Sequence, residues 1–279
     1  MSFQIISDGA CDLPKSYVEE NDIKLVPFYV SFGDEELHKE GSFITVEEFY
    51  TKMVENPTVF PKTSLPSVND YIDVFTPFVE KNIPILCICT DLQLSGSFNS
   101  ARMAKEVLED KYDSAKIKVI NSINITASQA VFVGEAIRMR DNGIEFEDCY
   151  ERLEKLKEYG RIHFTVGSID YLKHGGRIGK LAGFAAGALG LKPLIELKYG
   201  EVCSAGVARS RKKSIKQVLD YTKKFFERKN ENPDDYVFCV GYGYSKEEGE
   251  EYRLKLHKSL QEYSNVKLEE IHMIQIGAT

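Results

Sequence analysis

The sequence predicts an α/β protein: a parallel-sheet N-terminal domain, residues 1–159, followed by an α+β C-terminal domain, residues 160–279. Three observations carry this. Apolar strand-like runs alternate with amphipathic segments through the first half, the order that builds a parallel sheet covered by helices. Residues 83–89 are almost all apolar, as in a strand buried on both faces. From about residue 160 the pattern changes to a hairpin followed by two longer helices.

The elements follow in order. Residues 4–7 are a short strand, and Asp12-Leu13-Pro14 opens a helix, with Asp as cap and Pro in the first turn. Residues 24–32 alternate as one strand. Thr45 and Glu48 have capping-box spacing and open a helix to about Glu55. After the strand at 83–89, residues 98–109 form a helix with Ala101, Ala104 and Leu108 on one face. A strand at 116–120 and a helix at 127–140 complete the first half. In the second half, 162–167 is strand-like. Residues 192–198 and 201–208 pair as a hairpin around Tyr199-Gly200. Helices at 212–229 and 246–263 follow, with strands at 236–242 and 266–276 around the second.

Composition excludes several function classes. The 279 residues are 43% hydrophobic, enough to build a core. The net charge of −7 argues against a general nucleic-acid binder, which needs cations to neutralise phosphates. The longest apolar run, 181–191, falls short of the ~18 residues a spanning helix needs. The first residues lack the basic and apolar regions of a signal peptide. The six cysteines form no CxxC pair and read as reduced thiols of a cytoplasmic protein, with no zinc site expected. No phosphate-binding loop, dinucleotide fingerprint or HExxH occurs.

The segment from Thr90 to Phe98, containing Leu94-Ser95-Gly96-Ser97, carries the strongest chemical signal. It joins a buried strand to a helix, and ligands of open α/β sheets sit beyond the carboxyl ends of the strands. Ser95 and Ser97 offer hydroxyls, Gly96 allows close approach, and the first amides of the helix favour an anion. The same serines would also serve as ordinary helix caps. Three polar loops could meet this one: Thr63-Ser64-Leu65-Pro66-Ser67, the residues from Ser7 to Asp12, and Asn121-Ser122. The serine motif is not G-x-S-x-G, and none of the five histidines is tied to Ser95 by a motif. His174, beside Gly175-Gly176-Arg177, is the most suggestive of them. The small residues of 181–191 read either as tight helix packing or as an apolar slot. Arg177 and the run Arg209-Ser210-Arg211-Lys212-Lys213 are basic spots in an acidic chain.

Taken in order, these pieces resemble the DegV family, the fatty-acid-binding proteins that serve bacterial fatty acid kinases. The resemblance rests on Ser7-Asp8 with Asp12-Leu13-Pro14, the Thr63 to Ser67 loop, Leu94 to Ala101, and the Leu-Lys-x-Gly-Gly-Arg stretch ending at Arg177. Leu191-Lys192-Pro193-Leu194, Gly200, Arg209 and Lys213 extend it over essentially the whole chain. It implies a two-domain protein with a ligand cleft between the domains and a long-chain fatty acid buried there. The carboxylate would be held by Thr63, Ser95, Gly96 and Arg177, with Ser64, Ser97, Ser122 and His174 on the rim. Phe184, Ala188, Leu189 and Leu191 would pack near the acyl tail, and Arg209, Arg211 and Lys213 would face a partner. The implied partner is a fatty acid kinase subunit that phosphorylates the bound acid. This chain would then be a carrier and not an enzyme, needing no cofactor or metal, and would neither bind nucleic acid nor insert stably in membranes. A serine-dependent enzyme on acyl or phosphorylated small molecules is the first alternative, and a lipid-independent regulatory protein the second.

The sequence departs from the family in two places. Asp8-Gly9-Ala10-Cys11-Asp12 lacks the usual Asp-Ser-Thr/Ser. Family chains continue past an Ile-Gly pair into a glycine-rich tail with a histidine, whereas this sequence ends at Ile276-Gly277-Ala278-Thr279. A truncated chain is the expectation, and no histidine is carried over.

Overall fold

The computed structural model describes residues 3–33, 35–42, 44–179, 181 and 190–278. It divides into two compact units. The first runs to Gly160 and takes the chain back from Ile276 onward; the second is Arg161–Gln275.

The first unit begins with β1 (Gln4–Asp8), a helical turn at Gly9–Cys11, α1 (Lys15–Glu20) and β2 (Lys24–Val26). It continues with β3 (Tyr29–Phe32), β4 (His38–Lys39), α2 (Val46–Glu55), β5 (Pro61–Ser64) and α3 (Val68–Val79). Then come β6 (Ile85–Cys89), α4 (Ser97–Lys111), β7 (Ile117–Asn121), α5 (Thr126–Asp141) and α6 (Phe146–Leu156). The central sheet has the order β2-β1-β6-β7, and every pair in it is parallel.

The strand β6 is buried at all five positions because helices cover both faces of this sheet. Its pleat sends Leu86 and Ile88 into a cluster with Ile5, Phe132, Val133, Phe146 and Leu153. Ile85, Cys87 and Cys89 point the other way, to Tyr71, Phe75, Ala101, Ala104 and Leu108. That period of two explains why a continuous apolar run was needed there. The alanines expected on one face of α4 do lie together in this second cluster.

Two sequence expectations change. Residues 24–32 are not one strand: β2 joins the parallel sheet, while β3 pairs antiparallel with β4 and β5 in a separate sheet. Pro27 lies at the break, where it has no amide to give to a ladder. Asp12 does not cap α1. Pro14 precedes the helix, and Asp12, at φ 53°, ends the preceding turn. The capping box at Thr45 and Glu48 forms as its spacing requires. Helices α3 and α6 and strands β4 and β5 are further elements beyond those the sequence pattern predicts; α3 opens with its own box, Ser67 with Asp70.

The second unit contains β8 (Ile162–Thr165), α7 (Asp170–His174), β9 (Lys192–Lys198) and β10 (Glu201–Ala208). After these come α8 (Arg211–Lys229), β11 (Phe238–Tyr242), α9 (Lys246–Leu260) and β12 (Ile271–Gln275). The hairpin β9–β10 turns at Tyr199 and Gly200, which both take positive φ, 50° and 78°. That is the backbone a tight two-residue hairpin turn demands. β8 adds to it as an antiparallel edge, and β11 and β12 pair in parallel. Val240, Leu256, Leu260, Val266 and Ile271 form a core around α9. His163 on β8 donates Nδ1–H to Thr222 Oγ1 at 3.0 Å, the Thr222 proton going to the Val218 carbonyl, and stands edge-on to Tyr221.

Candidate functional site

The order β2-β1-β6-β7 contains a switch point. From β1 the chain passes to β2 on one side, and β6 then lies on the other. Crevices beyond the carboxyl ends of strands at such a point are the usual ligand sites of open α/β sheets. Here those ends are Asp8 on β1 and the Thr90–Ser97 loop after β6, so topology selects the segment that composition had singled out.

A buried polar network underlies this sheet edge. Asp8 is fully buried. Its Oδ2 accepts from the Thr90 amide at 2.9 Å and from the Ser97 hydroxyl at 2.8 Å. Its Oδ1 accepts from Gln129 Nε2 at 2.8 Å. Ser97 Oγ has spent its proton on Asp8 and therefore accepts from Tyr71 Oη, 2.6 Å away. The same Gln129 amide reaches Ser7 Oγ, which donates to the Ile88 carbonyl. Burial pushes the Asp8 carboxyl up to about 6, despite bonds from Thr90, Gln129, Ser97 and Ala10 that lower it.

Above the network, Ser95 and Gly96 are partly exposed. Ser95 Oγ accepts from the Ser97 amide at 3.3 Å. Gly96 caps α4 without a side-chain bond, and the first amides of such a helix are poor in intrahelical partners. The Thr63 loop comes to the same place: a Cβ added at Gly96 would stand 3.4 Å from Leu65 Cδ2. Thr63 and Ser64 end β5, opposite Val30 and Tyr29. The loop is pinned by Asp70, which bonds the Ser67 amide and hydroxyl at 2.8 and 2.6 Å, Tyr29 Oη at 2.9 Å and Lys39 Nζ at 2.8 Å. Burial raises the Asp70 carboxyl, but Lys39, Ser67 and Tyr29 together hold it well below the usual carboxylate range.

The remaining expected residues fall out as follows. Ser97 and Ser122, assigned to a rim, are both fully buried. Ser122 is tied into its own loop, donating to the Asn124 carbonyl and accepting the Asn124 amide. The Ser122 hydroxyl thus satisfies backbone of its own loop, whereas that of Ser97 is taken by the Asp8 and Tyr71 side chains. In the second unit, Arg177 is exposed and bonds the Gly175 carbonyl, and exposed His174 donates Nδ1–H to the Asp170 carbonyl. Leu191 is partly buried. Phe184, Ala188 and Leu189 lie outside the described residues. Arg209 and Lys213 are exposed. Arg211, expected to face a partner, instead forks onto Glu248 of α9 through Nε and Nη2.

Sequence reading missed Tyr71, Gln129 and the anchoring role of Asp8. The only signal was an acidic residue at the end of an apolar strand; its partners lie 82 to 121 positions away. It also missed the seat of the last residues. The Gly277 amide bonds Asp12 Oδ1 at 2.8 Å, and the Ala278 amide bonds Glu40 Oε1 at 2.7 Å. Among the described residues, no cluster of three metal-ligating side chains occurs. All six cysteines are free thiols. No helix among the described residues is long and apolar enough to cross a membrane.

The arrangement offers hydroxyls and a helix N-terminus over a closed, buried base, which suits an anionic headgroup. Comparison with known proteins places the chain among relatives. A DegV domain-containing protein of Clostridium perfringens is 30% identical over 250 residues, 89% of this chain and 84% of its own. The solved structure of a stearic acid-binding protein from Eubacterium ventriosum matches with a TM-score of 0.91 and 43% identity, covering 99% of this chain and 92% of that one. A DegV family protein from Thermus thermophilus, described by its fatty acid binding, matches with a TM-score of 0.84 and 25% identity, over 100% and 94% of the two chains. A family model described as uncharacterised protein, DegV family, matches residues 2–278, and the chain belongs to that family.

Proposed function

We propose that this chain binds a long-chain fatty acid and presents its carboxylate to a kinase subunit for phosphorylation, acting as a carrier and not as the catalyst. The observation that carries the reading is the likeness to the stearic acid-binding protein, 43% identical over 99% of this chain. The strand order, which puts the Ser95 loop at the β1–β6 switch point, supports it. Thr63 and Ser95 are assigned as hydroxyl donors to the carboxylate and Gly96 as the point of close approach. Arg177 is assigned to supporting the carboxylate or meeting the kinase. The basic Arg209 and Lys213 are assigned to the partner, in a cytoplasmic setting that suits the free thiols.

The energetics are favourable. An acyl chain gains about 0.8 kcal/mol per methylene removed from water, so the tail supplies affinity without polar contacts. The headgroup must not be left unpaired, and each hydrogen bond to a charged group contributes ~1.5–3 kcal/mol. The alternative of a serine hydrolase is disfavoured because the described partner of Ser95 Oγ is the Ser97 amide, and no described histidine bonds it.

Denaturing extraction of the purified protein and mass spectrometry test the reading. A free long-chain fatty acid is expected in the extract, and added oleate is expected to bind. The Thr63→Ala, Ser95→Ala double variant is expected to bind oleate ~100-fold more weakly, the loss of two such bonds at the lower end of their range. Absence of any acyl species, together with no binding of added oleate, overturns the proposal.

A further inference from the structure

We propose that Asp8 is a positioning residue that makes carboxylate binding at the Ser95–Ser97 loop depend on pH, the bound anion being held more tightly when Asp8 carries a proton. This rests on the fatty-acid reading above and concerns the regulation of the same site.

The geometry is a chain of three hydrogen bonds with a direction. Tyr71 donates to Ser97, and Ser97 donates to Asp8. Ser97 is the first residue of α4, and its amide in turn binds Ser95 Oγ. An ionised Asp8 therefore orients the base of the headgroup loop from beneath. It also places a negative charge, buried from water, under the position assigned to a second one. Like charges in a poorly screened interior repel.

Protonation has a defined structural consequence. A proton on Oδ2 would face the hydroxyl of Ser97 and the amide of Thr90, so Ser97 must turn its own proton away. A proton on Oδ1 would face the Gln129 amino group. Rotating that amide resolves the conflict by presenting Gln129 Oε1, which in the present orientation is buried without a partner. The network thus has two arrangements that differ by one proton.

Asp8 is one of two buried carboxyls here, the other being Asp12. The titratable groups that feel the Asp8 charge are Cys11 and Asp12 in the turn after β1, Cys89 on β6 and Tyr71 on α3. Burial pushes Cys11 up to about 12 and raises Cys89 and Tyr71 as well. These three stay neutral at working pH. Asp12 is raised well above the usual carboxylate range by burial, and the charges of Glu40 and Asp8 raise it further. Its Oδ1 accepts from the Gly277 amide and its Oδ2 is buried without a hydrogen bond, so the Asp8→Asn variant and the carbon-13 midpoint of Asp8 itself assign the pH dependence. From α4 and α5 come only the neutral Ser97 and Gln129. Among the described residues no cation acts on Asp8, whose burial places its titration at about 6.

Oleate and dodecanesulfonate binding measured from pH 5 to pH 8 test the proposal. The sulfonate does not titrate in this range, so any pH dependence with it belongs to the protein. Affinity for both probes is expected to fall about 3- to 10-fold as pH rises through 6. Asp8→Asn is expected to flatten the profile. Ser97→Ala, which removes one bond that favours the ionised form, is expected to move the midpoint upward, a shift that a purely structural role would not produce. Carbon-13 NMR of the wild-type carboxyl gives a reading that needs no variant: by linkage, bound probe must raise the Asp8 midpoint. Binding with a flat wild-type profile, or an Asp8 midpoint unmoved by ligand, overturns this proposal alone. Failure of oleate to bind at every pH overturns the fatty-acid reading and this proposal with it.

Discussion

Gly277→Ala is expected to release the segment that follows β12. A Cβ built at Gly277 would stand 2.7 Å from Asp12 Oδ1 and 2.8 Å from Glu40 Oε1. Carbon–oxygen contacts that short do not persist, so one partner must withdraw. Both oxygens are the acceptors that hold the segment, through the Gly277 amide at 2.8 Å and the Ala278 amide at 2.7 Å. The methyl group therefore strikes the anchors themselves. An amide bond to a charged acceptor contributes ~1.5–3 kcal/mol, and loss of one or both, offset by the freedom the released residues regain, leaves about 2–4 kcal/mol in the local opening equilibrium. Hydrogen exchange at the Gly277 and Ala278 amides reads this directly: protection is expected to fall by a factor of ~30 or more. Gly167→Ala is the control. Its added Cβ meets nothing within 4 Å, and the change is expected to be neutral or slightly stabilising. Unchanged protection in Gly277→Ala, or an equal loss in Gly167→Ala, would refute the steric argument.

Other perturbations follow from the same contacts. Asp70→Asn is expected to cost about 2–3 kcal/mol at pH 7, because the variant loses the charge that Lys39, Ser67 and Tyr29 are arranged to meet. The folded carboxyl titrates below its unfolded value. Its stabilisation is thus complete above about pH 4 and is lost as pH falls toward the folded pKa. Urea unfolding of wild type and variant is expected to converge at low pH. Arg209→Glu with Lys213→Glu is expected to leave the melting temperature unchanged while lowering kinase-coupled acyl phosphate formation. Arg211→Ala, by contrast, removes a half-exposed pair with Glu248 and is expected to cost ~1 kcal/mol or less in thermal melts.

Legibility in the sequence followed locality. The box at Thr45 and Glu48, the hairpin turn at Tyr199-Gly200 and the buried strand around Cys87 each depend on neighbours a few residues apart, and each formed where the pattern placed it. The box at Ser67 and Asp70 was equally local, but its acceptor is Asp and Pro77 lies within the helix, which hid α3. Residues 24–32 alternate well enough to pass for one strand, and Pro27 was the available warning. Thr63, at the end of β5, and Ser95 and Gly96, before α4, are all partly exposed, and Leu65 beside Thr63 comes up to Gly96. Ser97 and Ser122 carry the same hydroxyl in the same kind of loop, yet both are buried, because exposure is decided by what packs over a residue.

By itself, the sequence determined the strands and helices whose periodicity and caps lie within one element, the change of texture near residue 160, and the family to which the chain belongs. The tertiary structure alone decided the strand order β2-β1-β6-β7 and hence the switch point. It alone brought Asp8 to Ser97 across 89 positions and Asp12 to Gly277 across 265. The physical reason is the same in both cases. A hydrogen bond or an apolar contact forms between groups near in space, and only the folded chain makes distant residues neighbours. The burial that moves the Asp8 carboxyl to about 6 is a property of that enclosure and of no segment within it.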